Sequence, residues 1–270
     1  MTLSNSSDGR VVIVSGAAHG IGREIALEFA AAGNRVVVAD VNESGAETVA
    51  AEIGERAMPY AIDVRNRAEI ERMVEEVVER FGVIDVLVNN AGIYPNSAFL
   101  ELDEAEWDAV FDVNLKGMYM LSQAVAKVMI ANAVKGRIVN LSSGASVSGR
   151  AGGAHYCTSK AAINMLTKVM AIELTPLGIT VNAIAPGLIE VPDADLTREY
   201  VDAIVTGIPA RRIGQPSDIA RTALFVASPD SDFISGSIFF VDGGSSAGRT
   251  TLPLSSKKKQ EARQAESEAR

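Results

Sequence analysis

The feature that most constrains the fold of this chain is the alternation of short apolar segments with longer amphipathic ones. The strand-like segments are Val11–Val14, Arg35–Ala39, Met58–Ile62, Ile84–Val88, Arg137–Leu141 and Ile179–Ile184. The helix-like stretches between and after them are Gly20–Ala32, Glu43–Ile53, Arg67–Phe81, Asp103–Ala133 and Ala154–Leu174. Strands that are apolar on both faces and alternate with amphipathic helices indicate a parallel sheet that helices cover on both sides.

Right-handed crossovers between such strands produce a three-layer, doubly wound α/β fold of the Rossmann type. No linker or internal repeat interrupts the pattern, so we expect one domain over residues 1–248. Residues 249–270 form a charged C-terminal tail. From Ser255 onward it lacks apolar periodicity and is rich in Lys, Glu, Gln, Ala and Ser. That composition predicts a frayed helix or a disordered segment.

Composition argues against several classes of protein. The formal net charge of −9 would repel a phosphate backbone, so we expect no nucleic-acid partner. No apolar stretch approaches the roughly 18 to 20 residues that a membrane span needs, so we expect no membrane partner. The polar N-terminus, Met1 to Arg10, has no secretory signal pattern, and Cys157 is the single cysteine. Together these features favour a cytoplasmic location.

A glycine-rich turn follows the first predicted strand and opens the first helix. It contains Gly16, Gly20 and Gly22 in a Gly-x-x-x-Gly-x-Gly pattern. Glycine lets the backbone approach a ligand closely, and a helix N-terminus offers free N–H groups to a pyrophosphate. The pattern predicts dinucleotide binding, although a tight strand-to-helix connection could produce it too.

Asp40, at the end of the second strand, lies 18 residues beyond Gly22. A carboxylate there can accept hydrogen bonds from the adenosine ribose hydroxyls, and it repels a 2′-phosphate. The sequence therefore predicts NAD as the cofactor in preference to NADP. His19 is either a solvated loop residue or a neighbour of the pyrophosphate.

Three later segments carry chemistry. Asn89-Asn90-Ala91-Gly92 closes the fourth strand, Ser142-Ser143 closes the fifth, and Tyr156-Cys157-Thr158-Ser159-Lys160 lies in the following helix. Their order and spacing, together with the glycine turn, resemble the short-chain dehydrogenase/reductase family in its single-domain branch. The resemblance runs from about Arg10 to Gly244 and includes the Asn182–Gly187 and Val241–Gly244 segments.

Tyr156 is the candidate general acid/base. A tyrosine has a pKa near 10, whereas hydride chemistry at a carbinol needs a group that exchanges the hydroxyl proton near neutral pH. Lys160 lies at i+4, on the same helix face, and its charge favours the phenolate. Lowering the tyrosine pKa by about three units requires roughly 4 kcal/mol, which Lys160 and an oxidised nicotinamide could supply together.

The resemblance implies roles for the remaining site residues. Ser143 would hold the substrate oxygen, although its neighbour Ser142 could be confused with it. Asn114 would kink its helix and hold a water that leads to Lys160. Lys160 would also form a hydrogen bond with the nicotinamide ribose. The implied cofactor contacts are Gly16, His19, Gly20, Ile21, Gly22, Asp40, Asp63, Val64, Asn90, Gly92, Tyr156, Lys160, Pro186, Gly187 and Ile189. The implied substrate pocket consists of Tyr94, Gly144, Ala145, Gly153 and Leu188. Val191 departs from the family pattern, in which many members carry threonine. We assign no metal ligands.

These features predict an NAD-dependent oxidoreductase acting on a small secondary alcohol or ketone. A polyol or sugar dehydrogenase and a 3-oxoacyl-carrier-protein reductase remain alternatives within the enzyme class. A regulator that binds NAD without turnover is an alternative from a different class. The resemblance also implies a homotetramer.

Overall fold

The computed structural model describes residues 9–191 and 198–248, together with positions 264, 265 and 267. The strands in this part of the chain are β1 (Val11–Ser15), β2 (Arg35–Asp40), β3 (Ala57–Ala61), β4 (Val86–Asn89), β5 (Arg137–Leu141), β6 (Thr180–Pro186) and β7 (Ile238–Val241). The α-helices are α1 (Gly20–Ala31), α2 (Glu43–Ile53), α3 (Arg67–Phe81), α4 (Glu104–Phe111), α5 (Met118–Ala131), α6 (Ala154–Leu174), α7 (Arg198–Val205) and α8 (Pro216–Val226).

The strands form one seven-stranded sheet in the order β3-β2-β1-β4-β5-β6-β7, with every neighbouring pair parallel. The direction of winding reverses between β1 and β4, which pair directly. In open parallel sheets of this kind, the carboxyl ends at the reversal form a crevice where ligands bind. The predicted doubly wound α/β fold is confirmed.

Both faces of the sheet are apolar, because strands such as β1 are continuous apolar runs and successive side chains on a strand point to opposite sides. In β1, Val12 and Val14 pack into a cluster with residues of α1, α2 and α8. Val11 and Ile13 pack on the other face, with residues of α3 and α5. The two clusters fix the sheet between helical layers and leave its carboxyl edge for the polar residues of the site.

Apart from shifts of one or two residues at the ends of several strands, the structure differs from the predicted elements in two ways. The predicted helix over Asp103–Ala133 is interrupted by a π-helical segment at Asp112–Gly117, which separates α4 from α5. Three further elements were not predicted from the sequence: α7, α8 and the edge strand β7. The residues of β7 are only partly buried. Of the predicted tail, only positions 264, 265 and 267 are described, and they are helical.

Candidate active site

The glycine turn after β1 has the shape that close approach of a ligand requires. Gly16 and Gly20 have positive φ values of 65° and 55°, which glycine adopts without strain. A Cβ on Gly22 would lie 2.0 Å from the carbonyl oxygen of Gly16, so only glycine fits there. Helix α1 begins at Gly20, with the exposed His19 at its N-cap and no side-chain cap bond. Ile21 packs against the core beneath.

Gly22→Ala should lower the free energy of unfolding by about 1–3 kcal/mol, since the added methyl group overlaps a backbone oxygen. Gly149→Ala is the matched control, because a Cβ on Gly149 meets nothing within 4 Å. Urea unfolding of both variants measures the difference. Equal stability of the two variants would contradict the steric account of the turn.

Asn90 locks the glycine turn to the end of β4. Its side-chain amide donates to the carbonyl oxygens of Ser15 (3.1 Å) and Gly16 (2.8 Å). The hydroxyl of Ser15 in turn accepts from the backbone N–H groups of Asn90 and Ala91. The family resemblance implies that Asn90 contacts the cofactor in the adenosine ribose region. In the structure its amide holds the glycine turn in place.

Asp40 is buried at the carboxyl end of β2. Its carboxylate accepts from the backbone N–H of Ala18 in the glycine turn and from that of Asn42, both at 2.9 Å. The next side chain is Val41, which is 73% exposed, so no cation follows Asp40 directly. A 2′-phosphate beside this carboxylate would meet an uncompensated negative charge.

Asp63 and Val64 follow β3 at the same edge of the sheet. The Asp63 carboxylate forms an ion pair with Arg65, and the hydrogen bond from that guanidinium lowers the pKa of Asp63. Val64 is buried, and a Cβ on Gly117 would lie 2.8 Å from its Cγ2. Val64 therefore packs against the π-helical segment.

Tyr156 and Lys160 lie on one face of α6, with the Lys160 Nζ 5.7 Å from the centre of the Tyr156 ring. Lys160 is buried and donates from Nζ to the carbonyl oxygen of Leu141 at 2.8 Å. Burial lowers the pKa of Lys160 to about 8. Burial also raises the pKa of Tyr156, and a hydrogen bond with Ser143 acts in the lowering direction.

The structure separates the two neighbouring serines. The Ser142 hydroxyl is buried and donates to the backbone oxygen of Lys160 at 3.1 Å. Ser143 instead hydrogen-bonds Tyr156, and its hydroxyl accepts from the backbone N–H of Ala145 at 3.1 Å. Ser143 is thus the serine that reaches the tyrosine, as the spacing predicts.

Asn114 lies in the π-helical segment and connects it to the loop after β4. Its amide exchanges two hydrogen bonds with the backbone of Ile93, at 2.8 and 2.9 Å. A Cβ on Gly92 would lie 3.2 Å from the Asn114 Oδ1 and 3.6 Å from the Lys160 Nζ. Asn114, Gly92 and Lys160 therefore line one small region behind the tyrosine.

Pro186 is the last residue of β6 and pairs with Val241, and Gly187 and Ile189 follow it beside the last strand and the loop before α8. A Cβ on Gly187 would lie 2.8 Å from the Asp242 Cα, so glycine permits this close packing. Ile189 forms a parallel bridge with Gly214 through bonds made by Leu188 and Glu190. In such a bridge the N–H of Ile189 itself points away from Gly214. The sequence also predicts a lid over the site in the stretch between Pro186 and Pro216, of which residues 192–197 lie outside the described residues.

The predicted substrate residues surround Tyr156 unequally. Tyr94 is 60% exposed and makes an edge-to-face contact with Tyr156, with ring centres 6.4 Å apart. Gly144 and Ala145 belong to the short 3-10 turn after Ser143, and Gly153 precedes α6. Leu188 lines a small cavity with Ile208 and Val241, and its contact with substrate stays a prediction.

One functional feature was not predicted from the sequence: a polar clamp of His155, Glu106 and Ser97. The His155 ring is fully buried, with its Nε2 2.8 Å from the Glu106 carboxylate. Its Nδ1 accepts from the backbone N–H of Tyr156 at 2.9 Å, so the Nε2 carries the proton. The Ser97 hydroxyl donates to the same carboxylate. The clamp joins α4, the loop that carries Tyr94 and the first turn of α6.

His155→Phe should lower the free energy of unfolding by about 1–3 kcal/mol, because it removes two hydrogen bonds of a buried ring while keeping a ring of similar size. His19→Phe is the control, since His19 is exposed and makes no cap bond. Denaturant unfolding without cofactor should show little change for it. Equal losses in both variants would contradict the clamp.

The same clamp predicts a dependence on pH. Hydrogen bonds from Ser97 and His155 lower the pKa of Glu106 below its usual 4.5. A carboxyl whose pKa is lowered in the folded state stabilises that state above its unfolded pKa, and the contribution is lost as pH falls through the folded pKa. The stability difference between wild type and Glu106→Gln should therefore shrink as pH falls below about 4.5. A constant difference down to acid unfolding would refute this.

Comparisons with known proteins identify the family of the chain. A family model described as enoyl-(acyl carrier protein) reductase matches residues 16–246. A 3-oxoacyl-[acyl-carrier-protein] reductase of Thermotoga maritima is 38% identical over 88% of this chain and 98% of its own length. Galactitol 2-dehydrogenase of Agrobacterium fabrum is 41% identical over 88% of this chain and 97% of its own length.

A solved structure shows the same overall fold. The 3-ketoacyl-(acyl-carrier-protein) reductase of Brucella melitensis, complexed with NADH, superposes with a TM-score of 0.83 at 34% identity. The match covers 88% of this chain and 99% of that one. The chain belongs to the short-chain dehydrogenase/reductase family, and it is an oxidoreductase of that type. In its described part, no helix is both long enough and apolar enough to cross a membrane.

Proposed function

We propose that this oxidoreductase transfers a hydride between NAD(H) and a secondary alcohol or its ketone, with Tyr156 as general acid/base. The observation that carries the proposal is the convergence of Tyr156, Ser143 and Lys160 on one side of the crevice whose other side is the glycine turn. Asn114 and Gly92 connect the two sides.

The residues of the crevice fit a nicotinamide dinucleotide. The glycine turn offers room for a pyrophosphate at the N-terminus of α1, and the Asp40 carboxylate beside that turn would accept hydrogen bonds from the adenosine ribose hydroxyls. When bound, the nicotinamide supplies the hydride acceptor or donor. The positive charge of its oxidised form would oppose the effect of burial on the pKa of Tyr156.

In the oxidation direction, the Tyr156 oxygen takes the proton of the substrate hydroxyl as the carbinol carbon loses hydride. In the reduction direction, the Tyr156 hydroxyl gives the proton to the oxygen that receives negative charge. Ser143, which hydrogen-bonds Tyr156, is placed to donate to the same substrate oxygen and to steady that charge. Lys160 holds a positive charge beside the ring, and Asn114 fixes the backbone behind it.

For the substrate, a 3-oxoacyl thioester is our first candidate, because reductases of that name recur among the relatives. The exposed ring of Tyr94 beside Tyr156 gives the entrance an apolar wall, which suits an acyl chain. A polyol dehydrogenase is the second candidate, supported by the 41% identity to galactitol 2-dehydrogenase. For the cofactor, the NADH in the Brucella melitensis structure and the surroundings of Asp40 both support NAD(H).

Four assays of the purified protein test the proposal. Two use acetoacetyl-CoA, one with NADH and one with NADPH. The other two use NAD⁺, one with galactitol and one with sorbitol. We expect the first to be fastest. Turnover of the polyols alone would select the second candidate, and faster reaction with NADPH would overturn the cofactor assignment. NADH binding without turnover across secondary alcohols and ketones would identify a nucleotide-binding regulator instead.

We further propose a homotetramer built from this domain, with residues 1–248 as the folding unit. Large apolar side chains are exposed on the outer face of α6 and around β7: Met165, Val169, Ile172, Phe233 and Phe240. Light scattering of the full chain tests the assembly, and a monomer would contradict it.

A further inference from the structure

Arg150 lies in the loop between the 3-10 turn of Ser143 and the start of α6. Its guanidinium carbon is 5.2 Å from the centre of the Tyr156 ring. Lys160 approaches the same ring, with its Nζ at 5.7 Å. Two cationic side chains therefore contact the tyrosine, one buried and one at the mouth of the site.

Within residues 9–191 and 198–248, Arg150 makes no ion pair and no side-chain hydrogen bond. Its position is instead set by packing. A Cβ on Gly153 would lie 2.9 Å from the Arg150 Cγ and 3.0 Å from its Nε. The glycine thus leaves the space that the arginine stem occupies against the start of α6. The charge reaches Tyr156 without being neutralised by a carboxylate of the described residues.

Polar and titratable groups face Tyr156 from every surrounding element. They are Lys160, Cys157 and His155 on α6, Ser143 after β5, Tyr94 after β4, and Arg150 in the loop before α6. Among these groups only Lys160, Arg150 and a protonated His155 can carry a positive charge. The His155 ring already donates to Glu106 and accepts from the Tyr156 N–H, which is the bonding pattern of a neutral imidazole.

Lys160 and Arg150 differ in how their charges respond to pH. Burial lowers the pKa of Lys160 to about 8, so its charge declines as the solution becomes more alkaline. A guanidinium stays protonated throughout that range. Arg150 is therefore the cation that remains beside the phenol when Lys160 is neutral.

We propose that Arg150 is a second electrostatic determinant of Tyr156 ionisation, acting through its fixed positive charge over the ring. The inference concerns the tyrosine of the proposed function, but it requires only that Tyr156 titrates, not that any particular substrate reacts. The coulombic effect of Arg150 on the pKa of Tyr156 is in the lowering direction, in agreement with the geometry.

The exposure of Arg150 to solvent limits how far its charge can shift the pKa of Tyr156. A unit charge about 5 Å from the ring, in contact with water, shifts an ionisation by about half to one pH unit. Because Arg150 is exposed, salt should screen the interaction, and 1 M salt reduces the screening length to about 3 Å. A purely structural role for Arg150 would have no such dependence on salt.

The test is a pH titration of Tyr156 in the full-length, substrate-free protein, followed by NMR of ring-labelled tyrosine. Tyr156→Phe identifies the resonance among the five tyrosines. Arg150→Met should raise the tyrosine pKa by about half to one unit, whereas Arg150→Lys should leave it within about 0.3 units. Arg56→Met, an exposed arginine on the loop before β3, is the control.

A second measurement titrates the wild-type protein and Arg150→Met in low and in high salt. High salt should move the wild-type value toward that of Arg150→Met and leave the variant itself nearly unchanged. A tyrosine pKa that is the same in wild type and Arg150→Met, or a wild-type value indifferent to salt, would overturn the proposal. Either result is independent of whether the protein reduces thioesters or oxidises polyols.

Discussion

Tyr156→Phe should lower kcat/KM about 10³-fold, within the range by which general acid–base groups accelerate reactions. The substitution removes only the hydroxyl that exchanges the substrate proton. The ring that packs against Tyr94 and beside Lys160 stays, so the site should keep its shape. We therefore expect the affinity for NADH to change less than about threefold, which corresponds to less than about 0.7 kcal/mol.

Steady-state assays with acetoacetyl-CoA and fluorescence titration with NADH measure the two quantities. Tyr119→Phe is the matched control, since Tyr119 lies half-exposed on α5 and its hydroxyl accepts only a hydrogen bond from Gln123 within the described chain. It should keep wild-type activity. A Tyr156→Phe enzyme with wild-type kcat/KM would remove Tyr156 from the mechanism.

Asp40→Ser should lower the preference for NADH over NADPH about 100-fold. The buried carboxylate places a negative charge where the 2′-phosphate of NADPH would lie, and juxtaposed like charges cost several kcal/mol. Serine removes that charge, and it also removes the acceptors for the Ala18 and Asn42 N–H groups, so NADH should bind more weakly as well.

The ratio of the two dissociation constants, from fluorescence titrations, isolates the effect of charge from that of stability. Asp63→Ser is the control, because the Asp63 carboxylate is already paired with Arg65. It should change both dissociation constants by a similar factor. An unchanged ratio in Asp40→Ser would show that another feature selects the cofactor.

Much of the fold could be predicted because local signals agree with the tertiary structure. The sequence predicted the bounds of α2 and α3 correctly, since Asn42 and Asn66 cap their first turns and Gly54 and Gly82 follow their last residues. The apolar runs β1 and β4 are fully buried, as a parallel sheet covered on both faces requires.

Other features depend on contacts between distant parts of the chain. The π-helical segment holds Asn114 against the backbone of Ile93, 21 residues earlier, and no local pattern announces that bond. The clamp joins His155 to Glu106 across 49 residues. A histidine before the tyrosine was visible in the sequence, but its carboxylate partner was not. The edge strand β7 was missed because only part of it is buried.

The pKa of Tyr156 also could not be predicted from the sequence alone. The sequence spacing predicts Lys160 beside the ring, where it lies, and it attributes a lowered tyrosine pKa to Lys160 together with an oxidised nicotinamide. In the structure, burial is the largest effect and raises the pKa, while Ser143 and Arg150 act in the other direction. Helical spacing identifies neighbours on one helix, whereas burial depends on the strands and loops packed around it.

Transfer of deuterium from NADH that carries deuterium at both C4 positions tests the central claim most directly, because the result then does not depend on which face of the nicotinamide gives the hydride. With acetoacetyl-CoA as acceptor, we predict that mass spectrometry finds one deuterium on the carbinol carbon of the product formed by the wild-type protein. In the same period, Tyr156→Phe should form almost none. A product without deuterium, or equal labelling by the wild type and Tyr156→Phe, would contradict hydride transfer assisted by this tyrosine.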